Sequence, residues 1–266
     1  MMRAIAQTFE ELKARKSKAF IPFITSGDPD LETTISLVDE LERAGASIVE
    51  LGIPFSDPLA DGPTIQRSSE RALSHGYRLS DHLDAIRRMR SRTAAPLVIF
   101  SYFNPILQYG VERFAADAHA AGASGVLVTD LTPEESGEFR ECLDGRQLDT
   151  IFLVAPTSSP ERAELISRCS RGFVYLVSRT GVTGARQELS NSILPTLERI
   201  RRCTGLPVAV GFGISSPEQV RAVWEVADGA VVGSAIVSQI ESCRDSKDMV
   251  SKVGSFCRWL RGESDG

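Results

Sequence analysis

The sequence predicts an α/β protein built as a (β/α)8 TIM barrel, and three observations predict it. Eight short apolar segments recur along the 266 residues. Amphipathic helical patterns separate them, and no dinucleotide-binding glycine fingerprint follows the first, which disfavours an open doubly wound sheet. A barrel of this kind runs to about 250 residues as one unit, so residues 1–266 are expected to form a single β/α-barrel domain.

The eight segments are Ala19–Thr25, Ser47–Gly52, Leu97–Tyr102, Gly125–Thr129, Thr150–Ala155, Phe173–Val177, Pro207–Gly211 and Gly229–Gly233. Each has the length of a buried strand. Their near-continuous apolar character suits parallel strands covered on both faces. Before them, MMRAIAQTFEELKARK is amphipathic and predicts an extra N-terminal helix. Leu31, Ile35, Val38 and Leu41 share one face of the next helix, and Val111, Phe114, Ala118 and Ala121 one face of a later one. Thr132-Pro-Glu-Glu135 and Ser216-Pro-Glu-Gln219 carry the signature of a helix start: a hydroxyl N-cap, proline at the first position and an acid or amide at the third. Ala44-Gly45 and Ala121-Gly122 mark glycine-type helix ends. Between the second and third strands the spacing nearly doubles. That elongated loop, with a short additional helix, falls where barrel sites form, beyond the C-terminal end of a strand.

The net charge of −5 argues against a nucleic-acid surface. The basic clusters at residues 13–18, 87–92 and 199–202 read as solvated helix faces. The five cysteines show no Cys-x-x-Cys pairing and read as reduced, helix-packed thiols. No segment has the length of a signal peptide's apolar stretch or of a membrane span, and a cytoplasmic protein is expected.

Lysine is informative by position. Lys13, Lys16, Lys18, Lys247 and Lys252 lie near the two ends of the chain, whereas a Schiff-base aldolase needs an amine in the barrel core. The histidines, His75, His82 and His119, fall in or beside helices and read as helix-surface residues, with no metal-ligand spacing. Carboxylates remain. Glu50 sits inside the second strand with no basic neighbour in sequence. It shares a side with Ile48 and Gly52 and opposes Val49 and Leu51. Burial there raises its pKa toward neutrality, which suits proton transfer. Asp57 and Asp61 follow in the elongated loop. Both also read as turn residues, and spacing does not rank them. Late in the chain, Gly181-Val-Thr-Gly184, Gly211-Phe-Gly-Ile-Ser215 and Gly233-Ser-Ala-Ile236 follow the sixth, seventh and eighth strands. Glycines let backbone N–H groups approach an anion, and the loops after strands seven and eight are the usual phosphate site of barrels. A phosphorylated substrate is expected.

From Phe9 to Ile236 the chain resembles the alpha subunits of tryptophan synthases. The resemblance rests on Pro22-Phe-Ile-Thr-Ser-Gly-Asp28, the stretch from Glu50 to Gln66, Tyr175-Leu-Val-Ser-Arg-Thr-Gly-Val-Thr-Gly184 and the stretch from Gly211 to Val220. It implies a lyase of tryptophan biosynthesis that cleaves indole-3-glycerol phosphate to indole and glyceraldehyde 3-phosphate by retro-aldol chemistry, without metal or Schiff base. It assigns acid/base catalysis to Glu50, the indole N–H to Asp61, and a place beside the glutamate to Tyr175. It matches Phe23, Ile65, Phe100, Tyr102, Leu127 and Phe212 to the indole pocket, and Gly184, Gly213, Gly233 and Ser234 to the phosphate cradle. Residues Arg179 to Gln187 match a closing lid, with Thr183 meeting Asp61. The implied partner is a beta subunit carrying pyridoxal phosphate, in an alpha-beta-beta-alpha heterotetramer; no cofactor is expected on this chain. Pro54 to Pro63 and Asn104 to Gly110 match partner-facing surfaces. Phe100 stands where leucine is frequent, which narrows the indole site, and Thr132 replaces a residue that is often proline or valine near the partner.

Overall fold

The computed structural model describes residues 2–177, 186–211 and 213–263, with side chains omitted over 186–192. Its strands are β1 (Ala19–Thr25), β2 (Val49–Gly52), β3 (Leu97–Ser101), β4 (Gly125–Val128), β5 (Asp149–Ile151), β6 (Leu153–Val154), β7 (Val174–Val177), β8 (Val208–Gly211) and β9 (Gly229–Val232). All pairings between them are parallel, in the order β5-β4-β3-β2-β1-β9-β8-β7-β6. The two ends of that order are consecutive in the chain. β5 and β6 are halves of one segment broken at Phe152, the first half pairing with β4 and the second with β7. The eight predicted segments are therefore the eight staves of a barrel, one of them split.

Side chains alternate between an inner core and a mantle under the helices, as the period of two requires. Ile21, Ile48, Val98, Leu127, Ile151, Phe173, Ala209 and Val231 fill the inside. Val49 and Leu51 belong to the outer cluster with the buried faces of the helices. The open question about β2 is thereby answered: Ile48 points inward, so Glu50 does too.

Helix α1 (Ala4–Ala14) closes the N-terminal end of the barrel, with Ile5 and Phe9 packed into the inner core. Arg3 anchors it, donating to Asp149 at 3.0 Å at the foot of β5. Helix α2 (Leu31–Arg43) buries Ile35, Val38 and Leu41 and is capped by Asp30. The long interval after β2 holds two helices, α3 (Pro63–Leu73) and α4 (Leu79–Arg90). After β3 comes α5 (Phe103–Tyr109), then α6 (Val111–Ala121), which buries Phe114, Ala118 and Ala121. The remaining helices are α7 (Gly137–Asp144), α8 (Pro160–Cys169), α9 (Arg186–Cys203), α10 (Pro217–Val226), α11 (Ser234–Cys243) and α12 (Met249–Leu260). Gly45 and Gly122 end α2 and α6 with φ of +87° and +88°, the left-handed conformation that glycine adopts without a Cβ clash.

Two expectations need correction. Ser216 caps α10 through the Gln219 N–H as predicted, but Thr132 caps no helix. Its hydroxyl donates to the Glu135 carboxylate at 3.0 Å within a turn, and α7 starts only at Gly137. The hydroxyl was satisfied by the nearer acid, so the capping geometry never formed. His82 is likewise not a surface residue. It is 1% exposed, its Nδ1 lies 2.8 Å from Ser26 Oγ, and burial lowers its pKa to about 4. Among the described residues, no helix is long and apolar enough to cross a membrane.

Candidate active site

A cavity of about 870 Å³ opens at the C-terminal end of the barrel. The register of the strands builds its floor. Phe23 stands opposite Glu50 across β1 and β2, one layer above Ile21 and Ile48. Phe100 on β3 meets Phe23 edge-on, with ring centroids 5.2 Å apart. Ile65, on the first turn of α3, closes the apolar wall with Phe23 and Val237. Opposite, Tyr175 rises from β7. Gly211 leaves room for it: a Cβ there would lie 2.1 Å from the Tyr175 hydroxyl.

Glu50 is fully buried. Neither carboxylate oxygen has a hydrogen-bond partner, and the side chain lines the cavity. Desolvation alone raises its pKa to about 8, so it holds a proton at neutral pH. Tyr175 is pushed well above the ordinary phenol range, by burial and then by the charge of Glu50. It is therefore a neutral hydroxyl, not a base.

The elongated loop separates the two aspartates that spacing could not. Asp57 is exposed and its carboxylate accepts from the neighbouring Ser56 hydroxyl. Asp61 lines the cavity. The Tyr102 hydroxyl accepts from the Ala60 N–H at 2.9 Å and donates to Asp61 Oδ2 at 3.0 Å. Gln66 donates to the Asp61 carbonyl at 2.9 Å, tying the turn to α3. Burial raises the Asp61 pKa, and the Tyr102 hydrogen bond opposes that rise.

The opposite rim is built for an anion. Gly233 and Ser234, at the start of α11, line the cavity with Gly213. The first intrahelical bond of α11 runs from the Val237 N–H to the Gly233 carbonyl, so the preceding amides have no acceptor inside the helix. Such an N-terminus favours negative charge. Gly213 has φ +45°, a conformation that lets its backbone turn toward the space.

Of the residues singled out in the sequence, the structure thus gathers Glu50, Asp61, Tyr175, Phe23, Ile65, Phe100, Gly213, Gly233 and Ser234 around one cavity. Tyr102 acts on it through Asp61. Leu127, paired in register with Phe100 on β3, is buried in the inner core with Ile151 and Val98 rather than lining the cavity. Thr183, Gly184, Phe212 and most of the Arg179–Gln187 segment lie outside the described residues. The sequence reading missed Asp130, Ser158 and Arg162, which also line the cavity. Asp130 and Ser158 follow strands, so the rule that barrel sites gather beyond strand ends would have found them; Arg162 lies in α8 and gave no such signal. Among the described residues, no three His, Cys, Asp or Glu side chains come together as metal ligands.

A parallel barrel with a buried carboxyl, a second acid and a helix N-terminus facing one space defines a class of barrel enzymes acting on a small anionic substrate. The comparisons narrow it. The family model described as tryptophan synthase alpha chain matches residues 9–263. A tryptophan synthase alpha chain from Geobacter sulfurreducens is 55% identical over 260 residues, covering 98% of each chain. The crystal structure of the alpha subunit from Legionella pneumophila superposes with a TM-score of 0.91 at 39% identity, covering 98% of each chain. A structure of the tryptophan synthase a2b2 complex from Pyrococcus furiosus gives 0.85 at 40% identity, covering 92% of this chain and 98% of that one. The chain belongs to the tryptophan synthase alpha chain family, and so is a lyase of tryptophan biosynthesis.

Proposed function

We propose that this chain cleaves indole-3-glycerol phosphate to indole and glyceraldehyde 3-phosphate with its own carboxyl groups as the working acids and bases. The observation that carries the reading is Glu50, buried, unpartnered and protonated at neutral pH, facing the same cavity as Asp61. The phosphate of the substrate sits at the N-terminus of α11 with Gly213, Gly233 and Ser234. The ring lies between Phe23, Phe100 and Ile65, and its N–H donates to Asp61.

Glu50 donates its proton to the ring carbon that bears the side chain. The positive charge that develops on the ring nitrogen is stabilised by Asp61. The Glu50 carboxylate so formed takes the proton from the adjacent side-chain hydroxyl. The carbonyl of the aldehyde forms as the carbon–carbon bond breaks, and the bonding electrons return to the ring. One proton leaves Glu50 and one comes back, so the cycle closes on the starting enzyme. The protonated ring is the electron sink, the task a Schiff base performs in lysine aldolases. Tyr175, buried and neutral beside Glu50, keeps its proton and is not the group that exchanges it.

The partner follows from the surface. Leu59, in the loop after β2, is 92% exposed, and Leu107, on α5 after β3, is 53% exposed. Both lie in the segments that resemble partner-facing surfaces, and one solved relative is an a2b2 complex. A beta subunit covering these leucines in a heterotetramer is the proposed assembly, with pyridoxal phosphate on that partner. The test is indole release from indole-3-glycerol phosphate by the chain alone, by its Glu50→Gln variant, and by both after mixing with a beta subunit. Release is expected from the parent, stronger with the partner, and absent from the variant in either condition. Normal turnover by Glu50→Gln overturns the acid/base assignment.

A further inference from the structure

Arg71 lies on α3, away from the cavity, yet it joins three elements that bear on the site. Its Nε and Nη2 grip the Asp28 carboxylate at 2.9 and 2.7 Å, and Asp28 is 2% exposed just beyond β1. Its Nη1 donates to Glu241 on α11 at 2.8 Å. Arg67, one turn earlier, grips the same Glu241 through two bonds of 3.0 and 2.9 Å. These hydrogen bonds and charges, those of Arg67 first, hold the Glu241 carboxyl down at about 2, so Glu241 stays ionised across the working range.

The geometry relates the two ends of the site. α3 begins two residues after Asp61, and α11 begins at Ser234 of the anion rim. Glu241 lies two turns along α11, roughly 10 Å from its start, and Arg71 lies at the far end of α3. Near the cavity, among the described residues, the two helices share an apolar contact, Ile65 with Val237 and Phe23, which resists compression but not sliding. At the far end the bidentate ion pairs fix direction and distance. A helix transmits a displacement at its N-terminus along its whole length, so α11 and α3 act as two levers joined at one end.

We propose that the Asp28–Arg71–Glu241 assembly is a strut that couples the phosphate end of the site to the Asp61 end, with Arg71 as its positioning residue. Filling the anion rim sets α11, the strut carries that setting to α3, and the loop bearing Asp61 is placed for the ring N–H. This rests on the substrate reading given above, which indole release by the parent chain tests separately.

The experiment is calorimetric titration of the full chain with indole, with and without saturating glycerol 3-phosphate, in the parent and in Arg71→Gln, Arg71→Lys and Glu241→Gln. In the parent, glycerol 3-phosphate is expected to tighten indole binding by about 5-fold or more, the lower range of ordinary site-to-site coupling. In Glu241→Gln, which weakens the links to both Arg67 and Arg71, that factor is expected to fall below about 2-fold; in Arg71→Gln, which keeps the Arg67–Glu241 pair, it falls part of the way, while each ligand alone binds within about 3-fold of the parent. Arg71→Lys, which keeps the charge but not the fork, falls between the parent and Arg71→Gln. A merely structural role would weaken both ligands alike and leave the factor untouched. Glu241→Gln leaves the buried Arg71–Asp28 pair intact, so it carries the test if Arg71→Gln does not fold. Equal coupling in the parent and Glu241→Gln, or no coupling in the parent, overturns the strut.

Discussion

Glu50→Gln is a stability experiment as well as a catalytic one, because the structure assigns a charge cost to this residue. In the unfolded chain the carboxyl ionises at its ordinary value of 4.5, whereas in the folded protein burial holds the proton to about 8. Between these values the folded state binds more protons than the unfolded one, so stability falls as pH rises. Below 4.5 both states are protonated and the group costs nothing. Above 8 the full cost is present. Integrating the linkage between those two values gives a cost of about 1 kcal/mol at pH 5 and about 5 kcal/mol at pH 9.

Glutamine has nearly the same shape and never ionises. Its own burial cost is independent of pH and cancels when two pH values are compared. Reversible urea unfolding of parent and variant at pH 5 and pH 9 is the assay. The variant is expected to gain on the parent by about 4 kcal/mol between the two conditions. Every other titrating group is common to both proteins and drops out of the comparison. A gap that changes by less than about 1 kcal/mol would mean that the folded carboxyl ionises near its ordinary value, and the proton-donor argument would go with it. Loss of indole release alone could not make this distinction, since other disturbances of the cavity also lower turnover.

The catalytic pH profile follows from the same group: Glu50 must begin the cycle protonated, so kcat/KM is expected to fall tenfold per pH unit above about 8, and a rate still rising at pH 9 refutes it. Asp61→Asn is expected to lower kcat of the isolated chain by about 10²- to 10³-fold, in line with loss of an electrostatic partner of the transition state. Asp57→Asn, at the exposed end of the same loop, leaves the isolated chain within about 2-fold by comparison, since exposed charges contribute little; equal losses in the two variants refute the ranking. Gly52→Ala places a Cβ 2.5 Å from the Phe23 ring. It is expected to cost about 1–3 kcal/mol of stability through overpacking and to raise KM by displacing the ring wall, which thermal unfolding and steady-state kinetics read together.

The staves of the barrel were legible because most of them are buried on both faces, so the apolar run is long enough to stand out against the helices. The split of the fifth stave at Phe152 was not, because a break in pairing leaves the residue types apolar on both sides. Thr132 shows the limit of local signatures. Hydroxyl, proline and acid are in place, but the hydroxyl bonds the Glu135 carboxylate within a turn and the helix starts only at Gly137. His82 shows the same limit for burial. A histidine at one point of a helix reads the same whether that face meets solvent or Ser26, and the partner lies 56 residues away.

Glu50 was legible from chemistry: a lone acid inside an apolar strand has few structural explanations. Its direction was not, since alternation leaves two choices and only the packing of Ile48 against α1 and the other strands selects one. Asp61 is the harder case. In sequence it equals Asp57, and what separates them is a hydroxyl 41 residues away. Tyr102 holds both the Ala60 N–H and the Asp61 carboxylate, so it orders the turn and aims the acid in one contact. Arg71 takes the point further, because its acids stand 43 and 170 residues away and nothing in its neighbourhood announces them. Residues that perform chemistry reveal themselves by being out of place in their own segment. Residues that position others look ordinary there and become visible only when the chain closes on itself.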